Sequence, residues 1–183
     1  MSGNTANAAV WGGADVLIAP LGTTIPTTNA AFAAGWEYVG LLDGGQGFEE
    51  GIEVQSTDHD AWGYGTILTT YKAQKLTKTF TALEENEVVM GLVYDVSGMT
   101  FDDEAGTYVG TLKVRDHTEQ VLVAFVTTSG GTEKRMISKA YATIAPTNAG
   151  SDGEESLGAK SFTATIFPNG SNELWYAYKG ASL

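Results

Sequence analysis

The chain has 183 residues, 22 acidic and 10 basic side chains, a net charge of −12 and 43% hydrophobic residues. That is enough apolar material for a core in one large domain or two very small ones, and it excludes a disordered chain. Eight acids and no base precede Lys72, a sign of charge that argues against ordinary nucleic-acid binding and against docking on anionic lipid.

Residues 1–13 are small and polar and read as a flexible arm carrying Trp11. They have neither the basic nor the apolar region of a signal peptide, and the longest apolar run, residues 121–126, is far short of a membrane span. The reading is a soluble chain used without a signal peptide. A short apolar strand over 15–19 is stopped by Pro20, and 21–31 is loop. A strand over 36–42 ends at Asp43-Gly44-Gly45. Residues 43–74 form a long loop or hairpin, rich in glycine and acid, with an alternating strand over 52–56. A connection this long is usually functional or ordered by a partner.

Residues 75–83 alternate as a half-exposed strand. The period then changes. Thr81 and Glu84 have capping-box spacing, and Val88, Val89, Leu92 and Val93 recur at helical spacing, which predicts a helix near 84–94. Residues 102–106 are a turn, 108–115 alternate, and 119–128 are strongly β and more continuously apolar, the mark of a central strand. A glycine turn at 129–132 leads into one alternating strand over 133–144. Residues 146–158 are loop, and strands at 160–167 and 173–179 are joined by 168–171. About seven to nine strands and one helix predict a mainly β fold, two packed antiparallel sheets of sandwich or barrel-like form with a helix at one side.

Few residues suggest chemistry. Asp58-His59-Asp60 is a run of metal-ligand types. Neighbours on a strand point to opposite faces, so they do not converge on one ion. His117 beside Asp116 is the other histidine. The pairs Glu49-Glu50, Glu84-Glu85, Asp102-Asp103 and Glu154-Glu155 are sequential neighbours in turns or at a helix start. A glycosidase needs its two carboxyls across a cleft. Without cysteine there is no disulfide, no thiolate zinc site and no thiol nucleophile. Asn169-Gly170-Ser171 reads as a turn rather than a glycosylation acceptor. The expectation is no catalysis, no metal and no cofactor.

Assembly is the other possibility. Trp11 in the arm, Phe48, Trp62 and Tyr64 in the acidic segment, and Trp175, Tyr176 and Tyr178 in the last strand are aromatic anchors of the kind interfaces use. Trp175 and Tyr178 could equally fill the core.

The order of motifs resembles the major tail (tail tube) proteins of long-tailed phages, particularly those of actinobacteria. It comprises Val16-Leu17-Ile18-Ala19-Pro20-Leu21-Gly22-Thr23 with a following Pro26, then Trp36-Glu37-Tyr38-Val39-Gly40-Leu41-Leu42-Asp43-Gly44-Gly45. The segment Ser56-Thr57-Asp58-His59-Asp60-Ala61-Trp62-Gly63 follows, and Lys78-Thr79-Phe80-Thr81-Ala82-Leu83-Glu84-Glu85-Asn86-Glu87 leads into Val88-Val89-Met90-Gly91-Leu92-Val93-Tyr94. The resemblance covers roughly residues 8–180.

It implies two packed β-sheets flanked by a helix in one domain over 14–183, without the C-terminal immunoglobulin-like domain that some relatives carry. It also implies a virion protein, assembled in the host cytoplasm into stacked hexameric rings whose bore conducts double-stranded DNA without specific binding. Partners would be the protein itself and the tape measure, tail terminator and distal tail proteins, with no membrane. A tube that conducts DNA should have an acidic wall, because a basic one would hold phosphate. The candidate contacts between subunits are Trp11, Phe48, Asp58, His59, Trp62 and Tyr64, with Lys72, Lys75 and Lys78 as the nearest cationic partners. Two other readings share these features: a tube subunit of a contractile tail or type VI system, and a carbohydrate-binding sandwich with Trp62, Trp175 or Tyr178 as sugar platforms.

Overall fold

The computed structural model describes residues 10–45, 47–102, 104–150 and 158–182, the side chains of 72–74 excepted. Eleven strands, one helix and two antiparallel sheets make up these residues, and the large sheet is not closed into a barrel. Strand β7 (Val121–Ser129) is the apolar run of the sequence, and its first six residues are all buried. β1 (Gly13–Pro20) pairs along one edge and β8 (Thr132–Ser138) along the other, and β11 (Trp175–Ala181) extends the sheet beyond β8. β4 (Gly65–Ala82), β9 (Tyr141–Asn148) and β10 (Lys160–Phe167) form the other half, with β10 in the middle.

The two halves face each other. Val16 and Ile18 of β1 and Val123 and Phe125 of β7 share one core with Leu76 and Phe80 of β4, Ile144 of β9 and Phe162 of β10. Phe80 stacks on Phe162 at 5.1 Å and meets Phe125 edge-on at 6.0 Å, so aromatic contacts tie one half to the other. A second cluster, with Leu17, Leu122, Ala124 and Ile137, lies on the outer face and is covered by Ile25, Phe32 and Trp36. Arg135 fixes that cover. It pairs with Glu133, donates to the carbonyls of Ala30 (2.5 Å) and Asn29 (3.4 Å), and lies 4.8 Å over the Phe32 ring. A buried guanidinium needs such partners.

The strand expected over 133–144 is two strands. The chain turns a corner at Lys139-Ala140 and changes sheet half, and the buried positions shift from 133, 135 and 137 to 142 and 144. At the corner the Ser138 hydroxyl accepts the buried Val123 N–H at 2.9 Å, where no ladder partner reaches. The strand expected over 36–42 shrinks to β2 (Glu37–Tyr38). Gly40, at φ +96, turns the chain so that residues 37–38 pair with β1 while Leu42 bridges Ala82 of β4. A Cβ at Gly40 would also run into Glu84 and Asn86.

The helix α1 spans Glu87–Val93, shorter than the expected 84–94. Thr81 does not cap it. Thr81 lies in β4, with its hydroxyl against Ser161. Asn86 is the N-cap: its Oδ1 accepts from Val89 N at 2.9 Å, and its Nδ2 donates to the Val39 carbonyl at 2.9 Å. One amide thus caps the helix and ties it to the segment after β2. The chain then enters β5 (Tyr94–Asp102), a strand absent from the sequence reading, which pairs with β6 (Thr107–Val114) as a separate two-stranded sheet. The loop expected over 146–158 lies outside the described residues at 151–157, and the arm expected over 1–13 at 1–9.

Candidate assembly surfaces

Residues 43–74 are largely hairpin. β3 (Glu50–Ala61) pairs with β4 from Glu50↔Lys78 to Ala61↔Gly65. β4 meets β10 only over Leu76–Ala82, so its first eleven residues have β3 as their one neighbouring strand among the described residues. At a strand rise of about 3.3 Å per residue the two-stranded ribbon reaches roughly 30 Å beyond the sheet. Threonine and tyrosine favour the strand, and hydroxyls hold it crosswise. Thr69 donates to Asp58 at 2.7 Å, Thr66 to Asp60 at 2.7 Å, and Thr70 is 3.0 Å from His59 Nε2. The register puts Asp58 on the face of Thr69 and His59 on the face of Thr57 and Thr70. The two side chains therefore diverge, as strand alternation requires. Trp62 at the tip is fully exposed and Tyr64 is 87% exposed. Ile52, Val54, Ile67, Leu68 and Tyr71 are exposed along the ribbon. So many large apolar side chains on one projecting element exceed the scattered exposure of an ordinary surface.

A second feature lies where β4, β7 and β8 meet the segment after Trp11. It is a pocket of about 380 Å³ whose walls include Trp11, Phe48, Lys78, Phe125, Lys134 and Met136. Lys78 is only 6% exposed. Its ammonium lies 3.3 Å from Glu50 and 3.3 Å from Met136 Sδ, with the Phe125, Trp175 and Phe48 rings within 6.0 Å of it. Burial holds its pKa below the ordinary lysine value. Glu50 opposes that shift, and the charge of Lys134 adds to it. The aromatic faces replace part of the lost hydration.

The sequence-derived candidates divide between these places. Asp58, His59, Trp62 and Tyr64 lie together at the far end of the hairpin. Lys75 is exposed on the same ribbon opposite Glu53. The Lys72 side chain lies outside the described residues. Phe48 packs edge-on against Phe125 at 5.0 Å, beside Lys78, and Trp11 is half-buried with Lys179 Nζ 5.9 Å from its ring. The charge partner of Lys78 is Glu50 of the same chain. Trp175 packs half-buried against the core, and the hydroxyl of half-buried Tyr178 donates to the Ala181 carbonyl at 3.2 Å.

Two residues escaped the sequence reading. Lys134 and Lys179 are direct register partners across β8 and β11. No signal within one strand reveals such a pair, because it depends on which strands meet and in which register.

Among the described residues no group of three or more His, Asp or Glu side chains is placed to hold a metal ion, and no helix is long and apolar enough to cross a membrane. No curated protein matches the chain. A family model described as phage tail tube protein matches residues 1–160. With a mainly β fold, a flanking helix and a long exposed hairpin in place, the chain belongs to the phage tail tube protein family and is a structural subunit of a tail tube.

Proposed function

We propose that this chain is the major tail tube subunit of a long, non-contractile tail, stacking as hexameric rings around a channel for double-stranded DNA. The observation that carries this reading is the hairpin of β3 and β4. It exposes Trp62, Tyr64, Ile67, Leu68 and Tyr71, which nothing among the described residues covers. Such a surface is an interface waiting for its partner. Contacts made head-to-tail are heterologous and propagate, closing into rings where the rotation allows and continuing as a stack where it does not.

In this reading the ribbon and the N-terminal arm join successive rings through Trp11, Phe48, Asp58, His59, Trp62 and Tyr64, with Lys72 and Lys75 as cationic partners. Lys78, enclosed and paired with Glu50, supports the wall behind them. Acidic side chains line the bore and keep DNA moving, since a basic wall would hold phosphate through many contacts. Residues 14–183 act as one domain. The role is structural and non-catalytic, in a siphophage virion assembled in the host cytoplasm. Its partners are other copies of itself and the tape measure, terminator and distal tail proteins.

Negative-stain electron microscopy of the purified protein at rising concentration tests the reading. Tubes or six-membered rings of uniform bore are expected. A monomer at every concentration that binds glycans would overturn it in favour of a carbohydrate-binding module. A sheath gene beside this one would point to a contractile system. Deleting residues 1–12 should shorten or abolish tubes, and an electrostatic map of the ring with a neutral or basic bore would refute the acidic wall.

A further inference from the structure

The geometry points to the pocket beside Trp11 as the receptor for the hairpin tip of a second copy, with Lys134 and Lys179 receiving Asp58 and Asp60. This rests on the proposed stacking of subunits and names the surface that the hairpin meets.

Charge is the first argument. Lys134 and Lys179 sit directly opposite each other on adjacent strands. Like charges in that position repel. Neither has a carboxylate within 4.0 Å among the described residues, where five other cations do. Lys75 and Lys113 also lack such an ion pair among the described residues, but each has an acid as its register partner, Glu53 and Asp95, whereas Lys134 and Lys179 have each other. Lys134 lines the pocket, and Lys179 stands over Trp11 at its rim. The tip is the complement. Asp58 and Asp60 are held in place by Thr69 and Thr66 and meet no cation within the subunit among the described residues.

Shape is the second argument. Trp11, Phe48 and Met136 give the pocket an apolar wall, and Trp62 and Tyr64 beside the two aspartates are fitted to cover it.

Reach decides whose tip it is. Lys78 lines the pocket, and it lies thirteen positions along the same strand from Gly65 at the tip end of β4. At about 3.3 Å per residue that is roughly 40 Å of extended ribbon, so a chain's own tip does not fold back into its own pocket. The occupant is a neighbour, and tip-to-pocket contact repeats from copy to copy in one direction.

Charge exchange tests this. Lys134→Glu with Lys179→Glu, and separately Asp58→Lys with Asp60→Lys, should each lower the pelletable tube fraction at least tenfold. The circular dichroism spectrum and melting temperature of the free subunit should be unchanged. All four substitutions in one chain should restore tubes, as should mixing the two double variants. Double variants that assemble like the wild type, or a fourfold variant that does not assemble, overturn the inference and leave the stacking reading intact. A wild type that forms neither rings nor tubes overturns that reading and this inference with it. A 30-base-pair duplex serves as the second probe. If the wild-type subunit binds it, and reversing the lysines abolishes that binding without touching tube yield, the pocket is a phosphate site and the inference fails.

Discussion

Replacing Asn86 by alanine removes two bonds at once. The Val89 N–H loses its cap, worth about 1 kcal/mol at a helix N-terminus. The carbonyl of Val39 loses its donor from Nδ2. Val39 is fully buried, so that oxygen has no water to turn to, and an orphaned buried acceptor costs about 1–3 kcal/mol. The two effects together give about 3 kcal/mol. For a domain of this size each kcal/mol lowers the melting temperature by roughly 2–4 °C, so the loss is about 6–12 °C. The assay is thermal unfolding of the free subunit by far-ultraviolet circular dichroism, at concentrations below assembly, because association raises the apparent melting point. Asn86→Asp separates the two bonds. It keeps the capping oxygen, removes the donor and sets a carboxylate beside Glu84, so it should destabilise although aspartate is as good a cap as asparagine. Thr81→Ala should cost far less, since among the described residues its hydroxyl meets Ser161 alone. Asn86→Asp at wild-type stability would refute the tie to Val39, and a Thr81→Ala loss as large as that of Asn86→Ala would restore the capping box.

Three further outcomes are expected. Trp62→Ala with Tyr64→Ala should leave the melting temperature of the free subunit within about 1 °C, since exposed side chains away from such bonds contribute little, and should sharply reduce tube yield measured by sedimentation. Lys160 holds the Glu85 carboxyl below the ordinary carboxylate value through a hydrogen bond. That stability is present above the unfolded pKa of 4.5 and is lost as pH falls through the lowered folded pKa, so urea titrations of Glu85→Gln and wild type should differ at pH 7 and converge in acid. Asp15 is an exposed residue of β1, and partial desolvation of its carboxyl, and next the charge of Glu133, hold it above its usual pKa of 3.8, a small penalty present at neutral pH and relieved as pH falls through the raised value. Asp15→Asn should therefore stabilise the subunit at pH 7, with the gain fading in acid.

The parts of the fold legible in the sequence are those where burial imposes a pattern within one strand. Residues 121–126 are apolar on both faces because β7 is covered on both, and residues 160–167 alternate because only one face of β10 meets the core. The strand 94–102 was not legible. Asp95, Ser97 and Gly98 break any period, and its partner strand β6 is exposed throughout. Its hairpin depends instead on Gly110, at φ +146, where a Cβ would strike the backbone of Gly98. The corner at 139–140 was hidden for another reason: β8 buries Glu133, Arg135 and Ile137, β9 buries Ala142 and Ile144 in the inner core, and each strand keeps a period of two, so nothing in the residue pattern marks where one gives way to the other. Asp58, His59, Trp62 and Tyr64 were legible as candidates because apolar and acidic residues cluster in a segment with too little core to hold it. Lys134 and Lys179 were not, being 45 positions apart in the chain and joined only by register.

The ribbon also bears on timing. Two strands with no third are marginal in water, so the tip of β3 and β4, though cross-bonded and extended, is expected to fray in the free subunit. Docking must first still it, a cost that one contact recovers poorly and several simultaneous contacts recover well. Free subunits then resist pairing off and add readily to a preformed end, which makes growth a nucleated process, seeded where a starter already holds several ribbons in place. A lag in light scattering that added tube fragments abolish is its kinetic signature, and growth without a lag would argue that the ribbon is stiff before it docks.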